Sequence, residues 1–380
     1  MRKGLLIILC LLLGGCSSGN SSESKSVKKS KPAKKYDISF VGVGDNLIHS
    51  SVYEGAAKGD GTYDFSSYYT HTNYLTQVAD LAFINQETPF AGTDYGLSNY
   101  PQFNGPNEVL DGVVSAGFDW LNAASNHSFD RGSDGIVAEL AYAKKFGDKI
   151  TITGIHDSQK AADTPQVINV KGLKVGVASF TYGLNGYTLP SDKPYLVDLI
   201  DTAKIKRDIK ALKKVSDVQI VNMHWGAEYS YDISAEQKAL AQQLADLGVD
   251  AIIGEHPHVI EGIETIKSKS GQKVPCFYSM GNFLSAQLDN FNMLGYMPSF
   301  NIKFNSKTKK VTIDNIKVYP TVTYISTDGL GYATYALKDY SDDVAATHYI
   351  TTHEGQDCTR AYFINLTKQV IGDSGVTIEY

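Results

Sequence analysis

From Asp37 onward, apolar and polar positions follow two alternating periods. Short apolar runs bounded by turn residues occur at 38–43, 81–84, 118–123, 173–180, 218–223, 250–253 and 274–279. Runs of this length, rich in Val and Ile, predict strands. Between them, 68–79, 108–116, 134–146, 202–215 and 235–247 carry helical spacing. In 134–146 that spacing is set by Ile136, Leu140, Ala143 and Lys144. Strands alternating with helices predict an α/β architecture. After about Ser299 the pattern changes to strands alone, at 300–304 and 311–318, followed by Tyr-rich sequence without a clear period. We expect a main domain over 37–320 and a β-rich C-terminal segment over 321–380. No repeat of fixed period is visible.

The first 35 residues read differently. Met1-Arg2-Lys3 is basic, residues 5–13 are apolar, and polarity begins abruptly after Gly14-Gly15-Cys16. This is the three-part plan of a secretory signal, here 1–15. The apolar run is far shorter than the ~20 residues of a spanning helix. Leu13-Gly14-Gly15-Cys16 also resembles a bacterial lipobox, which implies cleavage before Cys16 and lipid on that residue. The expected location is then the extracytoplasmic face of the cell membrane, held by an N-terminal lipid. Residues 16–36 form a Ser/Lys-rich linker with too little apolar surface to offset the entropy of ordering. Its lysines (Lys25, Lys28, Lys29, Lys31, Lys34, Lys35) suit an anionic membrane surface and equally a solvated spacer.

Charge sharpens this division. The chain carries −6, and its first 35 residues carry +7, which leaves −13 on the body. An acidic body argues against nucleic acid as a partner. An anionic substrate would need local positive charge, which a bound divalent cation would supply. Of the four cysteines, Cys10 would leave with the signal and Cys16 would carry lipid; Cys276 and Cys358 could pair, or remain free and buried. No Cys-x-x-Cys spacing exists, so a thiolate metal site is excluded.

The informative polar residues each follow an apolar run. Asp45 follows Gly42-Val43-Gly44, and Asn85-Gln86-Glu87 follows Phe83-Ile84. Ser125-Asn126-His127 and Asp130 come after the run ending near Ala123, and His224 after Ile220-Val221. His256-Pro257-His258 follows Ile252-Ile253-Gly254, and Gly281-Asn282 follows Phe277-Tyr278-Ser279. In α/β sheets, ligands bind outside the carboxyl ends of strands. Carboxylate, amide and imidazole groups gathered there suit Mn, Fe or Zn, as one or two ions.

In their order along the chain, these motifs resemble the successive signatures of the CapA-like poly-γ-glutamate capsule biosynthesis family. They are Gly44-Asp45, Asn85-Gln86-Glu87-Thr88-Pro89, Asn126-His127-Ser128-Phe129-Asp130, His224-Trp225-Gly226, Gly254-Glu255-His256-Pro257-His258 and Ser279-Met280-Gly281-Asn282-Phe283. The resemblance implies a calcineurin-like metallophosphatase fold: a four-layer sandwich of two mixed β-sheets flanked by helices. It implies metal ligation by Asp45, Glu87, Asn126, His224, His256 and His258, with Glu87 where phosphoesterases place a bridging Asp. His127 takes the place of the proton donor or oxyanion stabiliser, with Asp130 beside it. Asp130, His49, Glu228 and Asn282 are expected behind the ligands, orienting histidines. The chain departs from the family pattern at Ser125, in the loop Gly154-Ile155-His156-Asp157, and in the first motif, where His49 lies four residues after Asp45.

Three functions follow from the resemblance. The first is a metal-dependent hydrolase or transferase acting on an envelope polymer or phosphorylated substrate. The second is a non-catalytic accessory subunit of an integral membrane capsule synthase, and the third a general metallophosphoesterase.

Overall fold

The computed structural model describes residues 33–380. The signal, Cys16 and nearly all of the linker lie outside the described residues. Strands occur in chain order as β1 (Lys35–Asn46), β2 (Leu81–Gln86), β3 (Trp120–Asn122), β4 (Thr151–Thr153), β5 (Gln166–Val170), β6 (Leu173–Thr181), β7 (Val218–His224) and β8 (Ala251–Glu255). They continue as β9 (Ile263–Lys267), β10 (Lys273–Phe277), β11 (Asn282–Leu284), β12 (Leu294–Asn305), β13 (Lys310–Ile325), β14 (Tyr332–Ala336) and β15 (Thr377–Ile378).

Two mixed sheets result. The first runs β14-β13-β12-β1-β2-β3-β4, with β11 added to β1 and β15 to β13. Strands β1 to β4 are mutually parallel, while β12, β13 and β14 are antiparallel. The second runs β5-β6-β7-β8-β10-β9, with β6, β7, β8 and β10 parallel. The two-sheet α/β fold expected from the sequence is therefore present.

Side-chain alternation explains the layering. On β7, Val218 and Ile220 enter the core between the sheets, while Val221 and Met223 face the helical layer. On β8, Ala251 and Ile253 take the inner face and Ile252 the outer one. A strand buried on both faces reads as a near-continuous apolar run, as β8 does through Ile253, while Gln219 and Asn222 interrupt β7. Phe40, Phe277 and Phe300 join the sheets by stacking, with centroids 4.5 Å and 5.9 Å apart. Each fully buried side chain of this kind contributes about 1.5–3 kcal/mol.

The helices Thr202–Val215 and Ala235–Leu247 close the outer face of the second sheet through Ile205, Ile209, Leu212, Ala241 and Leu244. Each starts on a side-chain cap. Asp201 accepts from the Lys204 N–H, and Ser234 forms a reciprocal capping box with Gln237. Gly248 ends the second helix at φ 89°, the left-handed conformation that glycine adopts without strain.

The predicted helix over 68–79 is not formed as one element. A 3-10 turn, Ser66–Tyr69, and one α turn, Asn73–Thr76, replace it. The Thr70, Thr72 and Thr76 hydroxyls donate to the carbonyls of Ser67, Tyr69 and Asn73. Such local bonds compete with the helical ladder, and apolar spacing alone does not reveal them. The predicted helix over 134–146 is Gly132–Ala143, followed by an irregular 3-10 stretch with Gly147 at φ 57°. Short strands β4, β5, β9, β11, β14 and β15 had no legible apolar run.

Strand β13 runs unbroken through position 320, and residues beyond it add β14, helices such as Arg360–Ile371, and β15. Lys34–Tyr380 form one compact unit with its own core. Cys276 and Cys358 are free and buried. Among the described residues, no helix is long and apolar enough to cross a membrane.

Candidate metal centre

The parallel strands bring the sequence motifs together. Asp45 lies near the end of β1 and registers with Asn85 on β2 and Asn282 on β11. Glu87 follows β2 directly, His224 ends β7, and His256 follows β8. Gly44 is required here, because a Cβ on it would lie 1.8 Å from the Gly281 carbonyl oxygen. His256 and His258 sit at φ 101° and 58°. Positive φ costs a residue with a Cβ about 1–3 kcal/mol, and such positions cluster at functional sites.

The Glu87 loop is held from several sides. The Ser125 hydroxyl donates to the Glu87 carbonyl at 2.9 Å, and the Ile48 N–H donates to Thr88 Oγ1 at 2.8 Å. Asn107 Nδ2 donates to the Phe90 carbonyl at 2.6 Å. The Ser125 side chain, a departure from the family motif, thus has a definite task.

Glu87 is 1% exposed, and neither of its carboxylate oxygens has a hydrogen-bond partner. Its Oε1 lies 3.5 Å from His258 Nε2 and 3.9 Å from His224 Nε2. Asp45 Oδ2 lies 2.9 Å from His258 Nδ1, and Asn85 Nδ2 donates to Asp45 Oδ1 at 2.6 Å. Ligand atoms of Glu87, His256 and His258 lie within 4.8 Å of one another, as do those of Asp45, Glu87 and His224.

Burial drives Glu87 well above the ordinary carboxylate range, and Asp45 and Glu228 push the same way against His258. Burial alone would lower His258, but Glu87 and Asp45 outweigh it and raise this imidazole to about 9. These groups titrate together. We assign the shared proton to His258 Nδ1, where Asp45 accepts it. Burial, then neighbouring histidines, hold His224 and His256 well below the ordinary histidine value. Both are therefore neutral, the form that binds metals.

A second group adjoins the first. His127 Nδ1 lies 2.7 Å from Asp130 Oδ2, which also accepts from the Phe103 N–H at 2.7 Å. Asn126 Oδ1 accepts from His224 Nε2 at 2.8 Å. Asn126 and His127 therefore face the same cleft as the carboxylates. Asn282 Oδ1 lies 3.2 Å from His258 Nδ1, while its Nδ2 donates to Gln287 and to the Asn292 carbonyl. Asp130 and Asn282 thus each contact a histidine ring nitrogen through a side-chain oxygen.

His49 and Glu228 are placed otherwise. The Ala286 N–H donates to His49 Nδ1 at 3.2 Å, and the ring stands edge-on to Phe103. Burial lowers His49 to about 4, so it is a neutral wall group. Glu228 is exposed and acts on the cleft through its field.

Three contributors escaped the sequence reading. Glu255 is fully buried at the end of β8, with both carboxylate oxygens unpartnered. Burial, then Asp45 and Glu87, push it well above the carboxylate range. Its signal was present, as an acidic residue directly before His256. Asn185, at φ 49°, accepts from Asn126 and places Nδ2 3.4 Å from His127. Tyr182 packs 4.6 Å from the His256 ring. Nothing in the loop around Asn185 and Tyr182 sets these residues apart in sequence.

The chemistry of this set fits a divalent cation. Orphaned buried polar atoms cost roughly 1–3 kcal/mol each, and more when charged. Glu87 Oε1 and Oε2, His224 Nδ1, His256 Nδ1 and both Glu255 oxygens are such atoms. Two donor sets share Glu87, one with His256 and His258 and one with Asp45 and His224, and a cation in either would engage the orphaned Glu87 carboxylate. The oxygen and imidazole donors match Mn, Fe or Zn.

A capsule biosynthesis protein, CapA, of Bacillus anthracis is 28% identical over 274 residues, covering 70% of this chain and 64% of that protein. A PGA biosynthesis protein, CapA, of Bacillus subtilis strain 168 is 32% identical over 181 residues, covering 45% and 43%. The chain thus spans less than two thirds of these relatives' own length. Among solved structures, a Mycoplasma pneumoniae phosphatase is similar at 14% identity and a TM-score of 0.48, covering 76% of this chain and 95% of that one. The profile of the bacterial capsule synthesis protein PGA_cap matches residues 39–287, and the chain belongs to that family.

Proposed function

We propose that this chain is a lipid-anchored, extracytoplasmic, metal-dependent hydrolase or transferase acting on an envelope polymer or its phosphorylated precursor. The observation that carries the reading is Glu87: a buried carboxylate with no hydrogen-bond partner, ringed by His224, His256 and His258. A buried charge persists only where it is paired or coordinated.

Asp45, Glu87, His224, His256 and His258 would hold the cation, with Asn126 beside them. When bound, it supplies Lewis-acid polarisation and an acidified water. The chain's own residues do the rest. Asp130 takes the Nδ1–H of His127, which fixes the tautomer and leaves Nε2 to exchange a proton with a leaving group. Asn185 and Phe103 keep that ring in place. Tyr182 and Tyr229 flank the histidines, and burial followed by Glu228 and Glu87 pushes both phenols up to about 12. They stay neutral at ordinary pH and can donate hydrogen bonds to a substrate.

Elemental analysis of protein purified without chelator tests the reading. One or two equivalents of Mn, Fe or Zn, lost in His256→Ala, is the expected result. No metal after reloading would overturn the hydrolase and favour an accessory subunit of a membrane synthase.

A further inference from the structure

The amino ends of the strands carry a chemistry that the metal centre does not use. Lys174 is the second residue of β6, and Lys273 and Lys310 open β10 and β13. Lys213 and Lys214 close the helix before β7, and Lys309 lies in the turn before β13. All six are exposed. They line adjoining depressions rather than separate ones. Lys213, Lys273, Lys309 and Lys310 line a shallow hollow of about 620 Å³. Lys174, Lys213, Lys214 and Lys309 line the next. A third, reached through Lys310, includes Lys35 and Lys303.

Few acids offset the six, whereas Lys303 is paired with Asp314 at 2.8 Å and Asp37 at 4.0 Å. Asp217 lies 3.6 Å from Lys309. Asp250 is buried, where it accepts from the Gln219 N–H and Gln272 Nε2. On a body of net charge −13, a face this basic is a departure from the average.

Its position is the second observation. The described chain enters at this end. Lys34 and Ser306 exchange backbone and side-chain bonds of 3.0 Å and 2.9 Å, and Lys35 registers with Asn305 beside the turn holding Lys309. The linker that precedes Lys34 carries further lysines, Lys25, Lys28, Lys29 and Lys31. The metal ligands stand at the other end of the same sheets. Val218 and His224 mark the two ends of β7, roughly 20 Å apart at ~3.3 Å per residue.

We propose that this lysine face docks on the anionic headgroups of a membrane, with the metal cleft turned away from it. A membrane is favoured over a single acidic polymer strand because the lysines spread across three joined hollows, not along one groove. They also continue the charge of the linker. The setting rests on the anchored reading, but the binding itself needs no anchor. Each lysine near an anionic surface strengthens binding about fivefold, and salt should screen it.

The test uses residues 34–380, the unit that holds the complete core, in sedimentation with vesicles. Binding to phosphatidylglycerol-containing vesicles, absent with phosphatidylcholine alone and lost in high salt, is expected. Reversing Lys213, Lys214, Lys309 and Lys310 to Glu should weaken it more than about a hundredfold, with metal content and Tm unchanged. A Gln set at the same positions guards against misfolding of the Glu set and should weaken binding less. Reversal of Lys238 and Lys338, which lie on other faces, should leave it intact. Equal binding to both vesicles, or no effect of either set, would overturn the proposal. So would poly-γ-glutamate binding this face at lower concentration than vesicles do. Absence of lipid on the full chain would instead refute the anchor and leave vesicle binding to stand.

Discussion

At the carboxyl ends of β1, β2, β7 and β8, carboxylates and imidazoles are buried against one another. At the amino ends of β6, β10 and β13, lysines stand in solvent. The two ends hold ionisable groups under opposite physics. In the cleft, low dielectric makes each orphaned atom costly, shifts protonation strongly and favours a cation. On the lysine face, water screens every pair, so the charges contribute little to folding and remain available to a partner. Charge is thus buried at one end and exposed to solvent at the other.

His127→Ala should lower kcat by about 10²–10⁴ at unchanged metal content, the usual contribution of a positioned proton donor. Asp130→Asn should also lower kcat and shift its pH profile, because the tautomer is no longer held. Unchanged turnover in both variants would remove His127 from the chemistry.

A buried acid behind the cleft gives a smaller effect, read on stability. Glu139, on the helix Gly132–Ala143, is 3% exposed and faces the Phe90 backbone N–H. Burial raises it from 4.5 to about 8. A raised folded value means its stability is fully present below about 4.5 and is lost as pH rises through about 8. Tm should fall across that window, and Glu139→Gln should flatten the fall. An unchanged slope in the variant would assign the pH dependence to other groups.

The smallest effect belongs to the lysine face. Lys309 pairs with Asp217 at 3.6 Å, with its side chain 71% exposed. Lys309→Met should change stability by less than about 1 kcal/mol in denaturant unfolding. A larger loss would mean that these lysines hold the fold together, and the contrast between the two ends would fail.

Much of this was legible in the chain itself. Apolar runs such as Ala251-Ile252-Ile253 mark strands buried on both faces. The polar residues directly after such runs mark the cleft, because parallel strands align their carboxyl ends. That local logic places Asp45, Glu87, His224, His256 and His258 without coordinates. Other features required the folded chain. Threonine hydroxyls bonded to nearby carbonyls broke the predicted helix over 68–79, and a hydrophobic period does not show such bonds. Asn185 and Tyr182 reach the site from a loop with no distinguishing pattern. Glu255 was beside a motif, but its burial against Asp45 depends on side-chain direction at the end of β8. The lysine face is scattered from Lys174 to Lys310 in sequence and forms a surface only when strand starts are set side by side. Local periodicity and position relative to a strand account for the long strands and for the polar groups that meet in the cleft. The tertiary structure alone decided which charges are buried and which are exposed, because burial is a property of neighbours far apart along the chain.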